Sequence, residues 1–419
     1  MTQTSTPQAG RSDSASTSTS LRAWLGVTAV GLATFSVVTT EMLPVGLLVP
    51  ITHELNVSVG EGGWMLFVPA ILAALFAPLI VVRPAGTDSR WLLCGLLALL
   101  MGANLASALA PSMPWLLGAR VLVGICIGGI WAIAGGLAGR IVAPHAVGAA
   151  TAIIFGGVAV ASVLGVPLGA FIGELAGWRA AFGGMAVLCA AVLVLIWLAL
   201  PPLPAPRGLS ARELAGLLSN SALRRGLLIT LFMVAGHFMA YTFVRPMLQT
   251  QAGFGQQWIG LLLFTYGVAG VAGNFLAGSA AARRPAAVLM TIAVTLLLTL
   301  ALLGGLGHWP PASALLLVVW GLAYGGVSVS LQIWMLRAAP DAVDAATAFF
   351  VAMFNLAIAA GSFLGAASVD ALGLQMNAWL AAACMLLPVG ALWRRPPSKS
   401  LGVGINRHRE MCKVEGFRD

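Results

Sequence analysis

Two ionisable side chains fall where chemistry would have to proceed without water. One is Glu41, in Thr39-Thr40-Glu41-Met42-Leu43-Pro44. The other is Arg120, in Arg120-Val-Leu-Val-Gly124-Ile-Cys-Ile-Gly128-Gly129. Each lies inside a long apolar run. With the runs placed as below, Glu41 is the one carboxylate in the spanning part, and the other acids fall in tails, loops or span ends. An ionisable group inside a membrane is costly and marks a function by default. A lone acid there is suited to carry a proton; the alternative is a satisfied polar group near the interface. Arg120 needs a partner. It sits at a depth similar to Glu41, in a segment running the other way. It either pairs with Glu41 or satisfies backbone carbonyls and braces the bundle.

A second group could recognise a planar solute. His237 and Tyr241 lie one helical turn apart in His237-Phe238-Met239-Ala-Tyr241-Thr242. A membrane histidine relays protons, bonds a substrate, or bonds a neighbouring helix. Trp131, Phe155, Trp320 and Tyr324 offer stacking faces, and Trp320 and Tyr324, four apart, share one helix face. Gln332 and Asn355 offer hydrogen bonds at suitable depth. Such aromatics more often pack or face lipid than line a pocket. No His/Cys spacing suits a metal, and no phosphate-binding loop or nucleophile–base grouping appears, so the expectation is a protein that is not an enzyme and has no cofactor.

These residues need elements to hold them. Of 419 residues, 59% are hydrophobic and 8% charged, a balance no soluble domain has. Polar or Pro/Gly breaks divide the chain into twelve runs, each near the ~20 residues a bilayer requires. The runs are 22–49, 62–82, 91–110, 114–140, 147–171, 179–199, 226–249, 257–281, 286–307, 312–336, 346–368 and 371–392. The fold expected is an all-α membrane protein of twelve transmembrane helices in two six-helix halves. Residues 1–21 read as a disordered tail and 22–200 as the first half. A connector follows at 201–225, the second half at 226–393 and a tail at 394–419.

With the N-terminus cytoplasmic, nineteen of the 22 Lys and Arg fall on the inner side. That asymmetry predicts both termini inside, in a multi-pass protein of the bacterial inner membrane. It also removes nucleic acid as a partner, because the +9 charge is spread over inner loops. The halves repeat. Ala146-Val147-Gly148-Ala149-Ala150-Thr151-Ala152 matches 342–348 at six of seven positions, an offset of 196 that also carries Gly165 to Gly361, Gly169 to Gly365 and Glu174 to Asp370. Two six-helix halves in parallel repeat place a substrate site between them at mid-membrane.

Gly165-Val-Pro167-Leu-Gly169-Ala-Phe-Ile-Gly173 forms a small-residue ridge, expected to be a close contact on which the halves rock. Gly177-Trp178-Arg179 after it reads as an interfacial anchor. The Arg120 motif, this ridge and Gly177-Trp178-Arg179 together resemble the signatures of the twelve-span drug:proton antiporters of the major facilitator superfamily. The resemblance runs from Glu41 to the last span, and is best with the bacterial exporters of purine ribonucleosides. It implies a monomer in the lipid bilayer that exchanges protons for a small-molecule substrate leaving the cell, driven by the proton gradient. Inosine or guanosine are the substrates it implies; hydrophobic drugs, chloramphenicol or arabinose-like sugars are the alternatives. The chain departs from the family at the inner loop, where the usual Gly-x-x-x-Asp-Arg-x-Gly-Arg-Arg is reduced to Arg83-Pro-Ala-Gly86-Thr-Asp88-Ser-Arg90. Asp88 and Arg90 are then the gate residues. The matching loop after the eighth span is only Arg283-Arg284-Pro285.

Overall fold

A computed structural model of the chain describes residues 21–81, 88–143, 146–203 and 216–393, and among these every regular element is helical. In the first half, α1 is Leu21–Glu54, and a single turn, Val59–Gly62, leads into α2, Trp64–Val81. Then come α3, Ser89–Ala108, and α4, Met113–Ile141. The fifth helix, α5, covers 147–176 as Val147–Val160, a π-helical turn at Ala161–Gly165, and Val166–Ala176. Trp178–Ala199 is α6. In the second half α7 is Ser221–Tyr241, prolonged by Val244–Pro246 and a π turn at Met247–Gln251. Then follow α8, Gln256–Ala281, and α9, Pro285–Leu306. The tenth helix, α10, is Pro310–Gly325 with Val327–Ala338. Val343–Cys384 holds α11 and the start of α12, divided at Gly373, and α12 ends as Leu386–Trp393. Counted by length and composition, eleven helices among the described residues can cross a membrane, because the last two run together. The break expected between 368 and 371 falls instead at Gly373, whose φ is 83°.

Helix alternation puts Arg22, Arg90, Arg140, Arg224, Arg225, Arg283, Arg284 and Arg337 at one end of the bundle, hereafter the arginine-rich end. The 196-residue repeat is present in three dimensions. Gly177 and Gly373 both turn the corner at the arginine-poor end with φ 83°, a region open to glycine at no steric cost. A Cβ on Gly165 would lie 3.0 Å from Thr39 Oγ1, and one on Gly361 would strike the carbonyl of Ala235. Gly169 abuts Leu43, as Gly365 abuts Met239. Every residue of the second set is 196 after its counterpart. Continuing the register makes His237 the counterpart of Glu41.

The glycine ridge therefore sits differently from expectation. Gly165, Gly169 and Gly173 pack on Thr39, Leu43 and Leu47 of α1, inside their own half, rather than between halves. Pro167 lies just beyond the π turn. It has no N–H and its ring crowds the carbonyl four residues back, so the wider turn at Ala161–Gly165 absorbs the misfit.

Prolines also shape α1. Pro44 and Pro50 lie inside it. A proline cannot donate to the carbonyl four residues earlier, so the oxygens of Thr40 and Gly46 have no helical donor. In a bilayer such groups must be satisfied by neighbours.

Candidate functional site

Each freed carbonyl of α1 is taken by a buried arginine. Arg120 Nη1 on α4 donates to Thr40 O at 2.8 Å, and Arg245 Nη1 from the second half donates to Gly46 O. Arg120 and Arg245 are 0% and 1% exposed. The guanidinium of Arg120 also lies over the Phe182 ring, 4.8 Å from its centroid. Its Nε and Nη2, the edge that grips carboxylates two-handed, have no hydrogen-bond partner. Glu41 is buried on the same stretch and its Oε1 is likewise unpartnered. The two charges are close enough to interact but lie beyond the 4.0 Å of a direct ion pair. Beside them Asn104 Nδ2 donates to Thr40 Oγ1 at 3.1 Å, leaving Asn104 Oδ1 and Thr39 Oγ1 free.

The facing wall comes from the second half and is aromatic. The chain has three tyrosines, Tyr241, Tyr266 and Tyr324, and all three gather here with His237 and Trp320. His237 stacks on Tyr324 with centroids 3.2 Å apart and planes 7° apart, and on Tyr241 at 4.9 Å. Tyr241 stacks on Tyr266 at 4.9 Å. Trp320 stands edge-on to this stack and donates Nε1–H to His237 Nδ1 at 3.0 Å. An imidazole accepting at Nδ1 is neutral and carries its proton on Nε2. The Tyr324 hydroxyl has no partner and lies within charge range of Glu41 across the two halves.

Other expected residues are placed elsewhere. Asn355 donates to Val351 O of its own helix at 2.9 Å. Gln332 is half-buried on α10, and Trp131 is half-buried on α4. The side chain of Phe155 lies outside the described residues, as do Arg83 and Gly86. Asp88 caps α3, accepting from Arg90 N and Leu203 N, both at 2.8 Å. Arg90 donates to Trp197 O at 2.5 Å and lies over that indole. In these contacts Asp88 and Arg90 tie α3 to the end of α6, within the first half, rather than latching one half to the other. Trp178 is no interfacial anchor: it is buried, and its Nε1–H is held by Glu54 at 2.6 Å. Among the described residues no group of three metal-ligating side chains occurs.

The halves are clasped at the arginine-poor end by contacts that sequence reasoning missed. Arg245 Nη2 approaches Glu174 Oε1 at 3.7 Å. Asp370 accepts from Ser58 Oγ at 2.7 Å and from Gly60 N at 2.9 Å. Glu174 and Asp370 are repeat counterparts, and each reaches across to the other half. Phe363 adds an aromatic contact to Trp64 and Phe67.

Twelve crossings in two repeated halves, each with unpartnered polar atoms buried inside the membrane-spanning part, are the build of a secondary transporter. The chain belongs to the Major Facilitator Superfamily, whose model matches residues 30–361. It is 33% identical over 369 residues to the transcription regulatory protein OpdE of Pseudomonas aeruginosa, covering 87% of this chain and 92% of that one. It is 31% identical over 367 residues to the purine ribonucleoside efflux pump NepI of Escherichia coli, with the same coverage. Among solved structures, the human organic anion transporter MFSD10 superposes with TM-score 0.64 at 21% identity, over 88% of this chain and 99% of that one. A bacterial homologue of the lysosomal transporter Spinster, inward-facing and occupied, gives TM-score 0.68 at 15% identity, over 88% and 95%. These last two share the fold.

Proposed function

We propose that this chain is a proton-coupled exporter of purine ribonucleosides such as inosine and guanosine, working by alternating access between its halves. The observation that carries the reading is the wall of three tyrosines, His237 and Trp320 set opposite Glu41 and the free edge of Arg120. Planar bases stack on aromatic faces. Ribosyl hydroxyls and base edges both donate and accept, which suits a carboxylate, a guanidinium and a phenol without partners. In the closed arrangement His237 covers the face of Tyr324, so an arriving base takes the place of the imidazole. The similarity to NepI supports the same substrate class.

Glu41 is the proton carrier in this reading. An unpaired buried carboxylate is costly, and a proton or a partner removes the cost. When the site faces outward, water delivers the proton. When it faces inward, contact with Arg120 or the arriving substrate displaces it. Proton and substrate compete for one state of Glu41, and that competition is antiport. The arginine-rich end is then cytoplasmic, with both termini inside the bacterial inner membrane. The protein acts as a monomer with no metal or cofactor, and is not an enzyme.

The test is uptake of labelled inosine and of chloramphenicol into everted vesicles under an imposed proton gradient. Inosine accumulation that collapses with a protonophore is expected. Accumulation of chloramphenicol alone would replace the substrate. Flux of neither would leave the fold standing and remove both substrate proposals.

A further inference from the structure

The short Arg283-Arg284-Pro285 loop takes no part in the site between the halves. It closes one end of a groove of about 870 Å³ bounded by α8, α9 and α10. That volume is within the range of ligand sites, ~300–1,000 Å³. We propose that this groove holds an anionic phospholipid, its phosphate on Arg283 and Arg284 and an acyl chain between α8 and α9.

Three observations point to that occupant. First, the two arginines are exposed and lack a carboxylate or carbonyl partner among the described residues. The role nearest to hand, capping the end of α8, is filled by Arg337, whose Nη2 donates to Ala282 O at 2.5 Å. Second, the groove beyond them is apolar, with Leu276 and Ala280 on one wall, Val288 and Ile292 on the other, and Leu322 at its floor. Two of its three hydroxyls are engaged by their own helices: Ser279 donates to Leu276 O at 2.9 Å and Thr291 to Ala287 O at 3.1 Å. Third, the lining residues include two cations and no carboxylate. A chain-sized apolar slot ending in paired guanidiniums fits a molecule with a chain and a phosphate. Basic pockets between transmembrane helices bind such headgroups, with about fivefold in affinity for each arginine. A zwitterionic lipid brings its own ammonium to compete for the phosphate.

The pair could serve only to orient the chain in the membrane, and that role predicts no lipid preference. The test is thermal unfolding of the purified full chain in detergent, titrated with phosphatidylglycerol, phosphatidylcholine or glycerol phosphate. Phosphatidylglycerol should raise Tm by several degrees and half-saturate at a concentration at least tenfold below phosphatidylcholine. Arg283→Gln with Arg284→Gln should erase that preference. Ala287→Trp, which fills the groove from an exposed position, should remove the response without touching a charge. If the double variant fails to fold, Ala287→Trp alone decides. Equal shifts from both lipids, an intact preference in a folded variant, or the same shift from glycerol phosphate would overturn the proposal.

Discussion

Arg245 of the second half donates to the carbonyl of Gly46 in the first, the very carbonyl that Pro50 strips of its helical donor. The proline thus makes a docking point on one half for a cation on the other. Pro50→Ala restores an N–H at position 50 that competes for Gly46 O. With Ser58→Cys and Asp370→Cys introduced as a reporter pair, that change should slow disulfide formation between the two several-fold. An unchanged rate would show that the carbonyl contributes nothing to closure.

The reporter pair makes its own prediction. Ser58 Oγ and Asp370 Oδ2 are 2.7 Å apart. In a cysteine-free background, oxidising the paired substitutions should lock the arginine-poor end and stop transport, and reduction should restore it. Transport that continues while crosslinked would mean this end does not open during the cycle.

Pro44→Ala should separate stability from coupling. Removing an interior proline favours the helix by ~3 kcal/mol. Displacing Arg120 from Thr40 O costs about 1.5–3 kcal/mol, the range for bonds to charged groups. The two nearly cancel, so Tm should move little while gradient-driven accumulation falls. A large loss of Tm would show that Arg120 is chiefly a brace.

Glu41→Gln fixes the protonated shape of the carrier. The variant should exchange labelled substrate for unlabelled but not accumulate it against a gradient. Uphill transport by this variant would remove Glu41 from coupling and leave His237 as the next candidate.

Glycines of the two repeated ridges should tolerate a methyl unequally. A Cβ at Gly169 meets the end of the Leu43 side chain, which can turn aside, whereas one at Gly361 meets the backbone of Ala235. Overpacking costs ~1–3 kcal/mol. Gly361→Ala should approach that figure by thermal unfolding and Gly169→Ala should fall well below it. Equal losses would show that α1 and α7 yield alike.

Much of this arrangement was legible in advance. Charge asymmetry, span lengths and the Gly165/Gly361 offset defined a repeated helical bundle, because hydrophobic thickness and charge act on each segment separately. Glu41 and Arg120 stood out as charges at depth, and His237, Tyr241, Trp320 and Tyr324 as stacking side chains at helical spacing. Which of them touch could not, since contact depends on helix rotation and tilt. The glycine ridge showed the same limit: its spacing marked a close contact, but not that α1 would be the neighbour. Tyr266 was overlooked, although a chain with only three tyrosines carried a hint. The carbonyls at Thr40 and Gly46 were readable too, from Pro44 and Pro50 by counting back four.

A single carboxylate at mid-bundle also limits how hard the protein can push. On the proposed mechanism each cycle admits one proton. That proton releases about 2.3 kcal/mol across 100 mV and about 1.4 kcal/mol for each unit of pH difference. Together these sustain a gradient of a neutral solute of roughly 500-fold, at about 1.4 kcal/mol per factor of ten. The stoichiometry makes the exporter a device for moderate gradients, and a second titrating site would square that ceiling.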